Sequence, residues 1–207
     1  GGGDGEEGSI PTIGFWKNTY ARVRKANLFL ENIDRAQGSE EDKVLMKAQV
    51  RFLRAFFYEE LIRRFGGVII LDHSVDPNNY TELINQPRNT FEESVEWVCN
   101  ELETAARDLP SNVAATPNKV GMATSAACYA CIARLRLQAA SPLFNGNPDY
   151  ADFVDKDGEH LFNSEYSVQK WVDAQEACEQ AIEICEQGEG GISPDIVLHE
   201  THTNLVF

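Results

Sequence analysis

Basic residues are scarce: 18 Lys and Arg stand against 33 Asp and Glu in 207 residues, a formal net charge of −15. Nucleic-acid binding draws its affinity from clustered Lys and Arg on phosphates, so this balance argues against it. It also disfavours direct adsorption to an anionic membrane surface. Long apolar runs are lacking as well. A run such as Val68-Ile-Ile-Leu71 falls far short of the roughly 20 residues that span a bilayer, and no basic stretch followed by an apolar one has the form of a signal peptide. Catalytic signatures are missing: there is no nucleophile motif, no phosphate-cradling glycine loop and no cluster of metal ligands. The many carboxylates fall in helix caps, solvated faces and loops, and His73 stands in a loop with no Ser or Cys nucleophile beside it. The expectation is a protein without catalytic residues, metal or cofactor.

Five cysteines are an odd number, so at least one has no partner within the chain. Cys128-Tyr-Ala-Cys131 is formally C-x-x-C, but it lies in an alanine-rich helical stretch without a second such motif or a His pair at zinc spacing. Core packing is the expectation for it, and for Cys178 and Cys185, which share a helical face with Ile182. A metal or redox role for the C-x-x-C pair is the weaker reading.

What is present is helix. Ala48 to Leu71 reads as a long helix, an abrupt stop and a short apolar exit. Phe52, Ala55, Glu59 and Ile62 follow one stripe and Leu53, Phe57, Leu61 and Phe65 its neighbour, an arc wide enough to pack between partners. Arg51 and Arg54 sit on the remaining face and are expected to be at least partly buried with carboxylate or carbonyl partners. Glu59/Arg63 and Glu60/Arg64 are one turn apart in the favourable acid-first order. Gly66-Gly67 ends the helix.

Arg51-Phe-Leu-Arg-Ala-Phe-Phe-Tyr58 followed by Leu61-Ile-Arg-Arg-Phe-Gly-Gly-Val68 resembles the central signature of the SusD/RagB family of outer-membrane nutrient-binding lipoproteins. Other stretches are similar to the family in the expected order. An earlier helix carries Trp16, Tyr20, Val23, Asn27 and Leu30 at helical spacing; Asn27, the polar member, reads as a buried amide tying backbone groups. Thr90-Phe-Glu-Glu93 is a capping box whose helix ends at Leu109-Pro110, and Ala139-Ala-Ser-Pro-Leu-Phe-Asn-Gly146 is close to a stretch found in many members. Two departures are Ile69, where the family usually has proline, and Met122, where it has a basic residue.

Ser39-Glu-Glu-Asp42 has the caps of a helix start, and Gly121-Met-Ala-Thr124 leads into a helix dense in alanine that Pro142 ends. Asp155-Lys-Asp-Gly-Glu159 does not fit a calcium-binding loop, because Phe153 and Ser164 would fall on ligand positions. A hairpin turn at Asp157-Gly158 fits better. Trp171, Ala174, Cys178, Ile182 and Cys185 form the seam of a last helix ending at Gly188. Trp16 and Trp171 each lead an apolar stripe and are expected to be core anchors of their helix pairs rather than sugar platforms.

The pattern predicts an all-α fold of tetratricopeptide-like helix pairs, over 12–65 and 90–140, with a fifth helix beginning a third pair, long irregular loops and at most a small hairpin. Residues 1–11 read as a flexible opening, 12–188 as the helical-repeat domain, and 189–207 as a tail continuing into a part of the fold outside this chain. The resemblance implies the same architecture. It also implies a cell-surface protein of the outer membrane, lipid-anchored in its full-length form, that captures an oligosaccharide or other nutrient and hands it to a SusC-like TonB-dependent transporter. No ligand-binding residue carries over by motif; Tyr80 and Asn145 are loop candidates, since sugars bind through aromatic stacking and amide hydrogen bonds. The rival reading is a cytoplasmic helical-repeat adaptor holding protein segments in a groove.

Overall fold

The structure, a computed structural model, describes residues 11–75, 86–111 and 121–187, the side chains of 11–13 and 187 apart. Among them are five α-helices: α1 (Pro11–Asn32), α2 (Glu40–Phe65), α3 (Phe91–Asp108), α4 (Ser125–Ala140) and α5 (Gln169–Gln187). Short 3-10 turns at Ile33–Arg35 and Pro148–Tyr150 complete the regular structure, with a single isolated antiparallel bridge between Val154 and His160. The opening, the tail from 189 to 207 and Tyr80 lie outside the described residues.

Helix starts fall where short polar side chains satisfy the first free N–H groups. Ser39 accepts from Asp42 N–H and Thr124 from Ala127 N–H, while Thr90 and Glu93 exchange both bonds of a capping box. The stop after α2 needs two glycines for different reasons. Gly66 has φ +71, and a Cβ there would lie 2.3 Å from the Phe162 ring; at Gly67 a Cβ would lie 2.2 Å from the Asn89 carbonyl oxygen. The first glycine supplies a conformation, the second a close backbone approach.

Each helix packs on the next in the chain, α1 on α2, α2 on α3, α3 on α4 and α4 on α5, as in a tetratricopeptide-like array. The core runs through Val23 of α1, Ala55, Tyr58, Leu61 and Ile62 of α2, Val95, Val98 and Leu102 of α3, and Ile132 and Leu135 of α4. Cys99 and Cys128 are part of it, their thiols pushed up to about 12 by burial, and Cys131, half-buried, is pushed up to about 11 by the same cause. Beside the α3 start, Phe91 stacks on Phe144 at 4.3 Å and Tyr150 on Phe162 at 4.5 Å, which fastens the irregular 141–165 segment to the array. Within that segment the hairpin turn forms as expected, with Gly158 at φ +88 and the Asp155 carboxylate accepting the Asp157 and Glu159 N–H groups.

Three expectations are corrected. Glu59 does not pair with Arg63. It is wholly buried and takes the Arg134 guanidinium of α4 bidentately, at 2.7 and 2.8 Å, while Arg63 and Arg64 both turn to Glu60. Leu53, assigned to the buried arc of α2, is 46 % exposed, because α1 and α3 together cover less of that helix than its apolar stripe spans. Trp171 is 40 % and Ile182 47 % exposed. The alanine-rich α4 takes the small-residue face of α5, where Ala174 and Ala177 are buried and Cys178 and Ala181 partly so, and this turns the larger side chains outward. Trp16 packs as the stripe predicts, edge-on to Phe65 at 4.8 Å and 4.9 Å from Tyr20, although it is only partly buried.

Trp16→Ala is therefore expected to cost about 3 kcal/mol of unfolding free energy, whereas Trp171→Ala costs less than about 1 kcal/mol. Equilibrium urea denaturation of the two variants checks the contrast; equal losses would show that α5 is buried in solution.

Candidate functional site

After Gly67 the chain runs without helix from Val68 to Val75, with a bend at His73, and no strand among the described residues pairs with it. Backbone N–H and C=O groups away from water need partners, and here side chains of the helices and of the 86–90 loop supply most of them, with the Asn89 N–H donating to the Val68 carbonyl at 2.9 Å. The Tyr20 hydroxyl of α1 accepts the Ile69 N–H at 3.0 Å and donates to the Ile69 carbonyl at 2.8 Å. Two residues on, the Tyr58 hydroxyl of α2 does the same for Leu71, at 2.7 and 3.2 Å. Val68 N–H donates to Ser94 Oγ and Ile70 N–H to Asn89 Oδ1. Ser74 is held by Glu31, whose carboxylate accepts both its N–H and its hydroxyl at 2.6 Å. Ile69, which departs from the family's usual proline, thus has a use for its N–H that proline could not serve. Arg88 closes the end of α2 by donating to the Phe65 and Gly67 carbonyls.

Behind this segment lies a buried polar centre. Arg54 is 5 % exposed. Its guanidinium donates to Glu101 Oε1 of α3, to Asn27 Oδ1 of α1 at 2.7 Å and to the Asp72 carbonyl at 3.1 Å, with its charged carbon 5.4 Å over the Trp97 ring. Arg51 reaches the other Glu101 oxygen at 3.1 Å. Asn27 completes the connection by donating to the Leu71 and His73 carbonyls at 2.9 and 2.7 Å. The expected partners of Arg51 and Arg54, and the backbone-tying role of Asn27, are all present. The identity of the shared carboxylate was not read from the sequence, although Glu101 between Val98 and Leu102 on an apolar stripe was a usable signal.

Ile69, Leu71, His73 and Val75 of this segment share one side. There they face α1 across a groove of about 370 Å³ whose other wall is Trp16, Tyr20, Ala21, Arg24 and Asn27. Aromatic and aliphatic walls with a few polar groups are the usual make-up of a small-molecule site. Asn145, the loop candidate, is elsewhere: it is 4 % exposed, its amide donates to the Ser167 and Ala140 carbonyls and its oxygen accepts the Ser167 N–H, so it fastens the 141–147 loop to the start of α5. His73 lines the groove with its Nδ1 2.8 Å from Asp72 Oδ1. Among the described residues no group of three or more His, Cys, Asp or Glu is placed to hold a metal ion.

Comparison with known proteins decides the family. A SusD-like family model, described as starch-binding associating with outer membrane, matches residues 6–137. The chain belongs to the SusD-like family. It is 31 % identical over 121 residues to SusD-like protein P2 of Formosa agariphila, an alignment covering 57 % of this chain and 23 % of that protein. Among solved structures, BT4246 matches with a TM-score of 0.77 at 32 % identity, over 83 % of this chain and 30 % of that one. A SusD-like protein of Bacteroides fragilis NCTC 9343 matches with a TM-score of 0.63 at 25 % identity, over 84 % and 27 %. The chain thus spans between about a quarter and a third of the length of these matched proteins. The groove, α1 to α3 and the Arg54 centre all fall within the span of the family match.

Burial raises the ionisation of Tyr20 and Tyr58 well above the ordinary 10.0. A raised native value means that the folded state favours the protonated hydroxyl, so this stabilisation is whole below pH 10 and is lost as pH rises beyond it, when unfolded tyrosines ionise. Ultraviolet titration should show two of the six tyrosines silent until alkaline unfolding; ionisation of all six in the folded protein near pH 10 would contradict these contacts. Glu101→Ala leaves the Arg54 charge buried without its carboxylate and is expected to cost about 3–5 kcal/mol by urea denaturation.

Proposed function

We propose that this chain supplies the helical part of a non-catalytic cell-surface protein that binds an oligosaccharide and passes it to a SusC-like TonB-dependent transporter of the outer membrane. The observation that carries the reading is the family match over residues 6–137, in a family described by starch binding and association with the outer membrane. The groove beside α1 supports it: Trp16 is only partly buried, so besides anchoring α1 on Phe65 it lines the groove, where an aromatic wall can take the apolar face of a sugar. In this reading the full-length protein is held at the surface by a lipid; no helix among the described residues is long and apolar enough to cross a membrane.

Native gels cast with soluble polysaccharides test the binding step. Retarded migration in at least one glycan, with no new reducing ends after prolonged incubation, is the expected outcome. Reducing ends that rise in proportion to the protein through successive purification steps would show an enzyme instead.

A further inference from the structure

The hydrogen-bonding capacity of the groove is nearly all committed. Tyr20 has both its roles filled by Ile69, and Asn27 has its amide hydrogens on Leu71 and His73 and its oxygen on Arg54. Of the carboxylates nearby, Glu31 accepts from Ser74 with both oxygens and Asp72 faces the His73 ring. The lining group left with capacity is Arg24. It is exposed, its Nε makes a long 3.4 Å contact with the Val75 carbonyl, and its charge acts on the Glu31 carboxylate without a contact-distance ion pair among the described residues. A guanidinium only donates, and it prefers a planar or multi-oxygen anion to a hydroxyl, which must also find an acceptor for its own hydrogen. The helix bearing it reinforces the sign of charge: α1 carries Lys17, Arg22, Arg24 and Lys25 against Glu31 alone, in a chain of net charge −15.

We propose that the groove takes an acidic sugar unit, its carboxylate or sulfate oxygens on Arg24 and its apolar face against Trp16. The proposal rests on the glycan-binding reading and adds the ligand's class. Acidic residues outnumber basic ones over the chain, so a polyanion gains little from the protein's charge as a whole and depends on a local basic contact. Adsorption through general electrostatics is thereby disfavoured.

The test compares charged chains with neutral counterparts on native affinity gels: polygalacturonate with its methyl ester, and dextran sulfate with dextran. Retardation is expected with at least one charged chain and not with its neutral form, and which one responds tells carboxylate from sulfate. Arg24→Gln is expected to weaken that binding roughly tenfold, the worth of one charge-assisted contact. Ala21→Trp, which fills the groove from an exposed position, should abolish it, with the melting temperature of both variants unchanged. Equal retardation by neutral and charged chains would overturn the acidic-sugar assignment and leave the glycan-binding reading standing. Charge-dependent binding untouched by either substitution would place the site elsewhere. No retardation by any of these chains, nor by starch or xyloglucan, would overturn both.

Discussion

One buried guanidinium joins three helices and the segment after α2 at a single polar point within an otherwise apolar interface. Arg54 belongs to α2, but its donors reach α3 through Glu101, α1 through Asn27, and the segment after α2 through the Asp72 carbonyl. A charge in a low-dielectric interior is tolerated only where nearly every donor has an acceptor, and that demand constrains the rotation and height of two neighbouring helices at once. Apolar packing alone would leave α1 and α3 freer to slide along α2. The centre therefore fixes geometry more than it adds net stability, since an apolar replacement of similar shape often does as well energetically.

Helix boundaries and the order of packing were legible in the sequence because they follow from local rules. The Thr90 capping box, the Ser39 cap and the glycine stop at residue 66 are each decided within a few residues, and the structure has all of them. Rotation of the helices about their own axes was less legible. Periodicity locates an apolar stripe but not the partner that covers it, so Trp171 and Ile182 were assigned inward although the alanines of α4 draw in Ala174 and Ala177. Glu59 is a similar case. Its sequence neighbour Arg63 was the local choice, and the partner came from α4, 75 positions away.

The site was the least legible part, for a physical reason. Its residues come from α1 and from the segment after α2, and each is unremarkable in its own context: a tyrosine on a stripe, an arginine on a basic helix, alternating apolar residues after a glycine pair. Only superposition of the two makes a groove. The sequence supplied Asn27 as an odd polar member, and its buried amide proved to be part of the groove's rear wall. Asn145, chosen for its chemistry, satisfies the same hydrogen-bonding demand inside a loop.

The segment after α2 has one consequence for how such a chain can change over time. A strand within a sheet bonds to a repeating backbone and can shift register by two residues while keeping its face. Val68 to Val75 bonds instead mainly to side chains at fixed addresses, Ser94, Tyr20, Asn89, Tyr58, Asn27 and Glu31 in turn, with one backbone bond from Asn89 to Val68. Adding or removing one residue between Gly67 and Ser74 would misalign every later contact together. Length variation is thereby excluded from this stretch, while substitutions that keep its backbone path remain open.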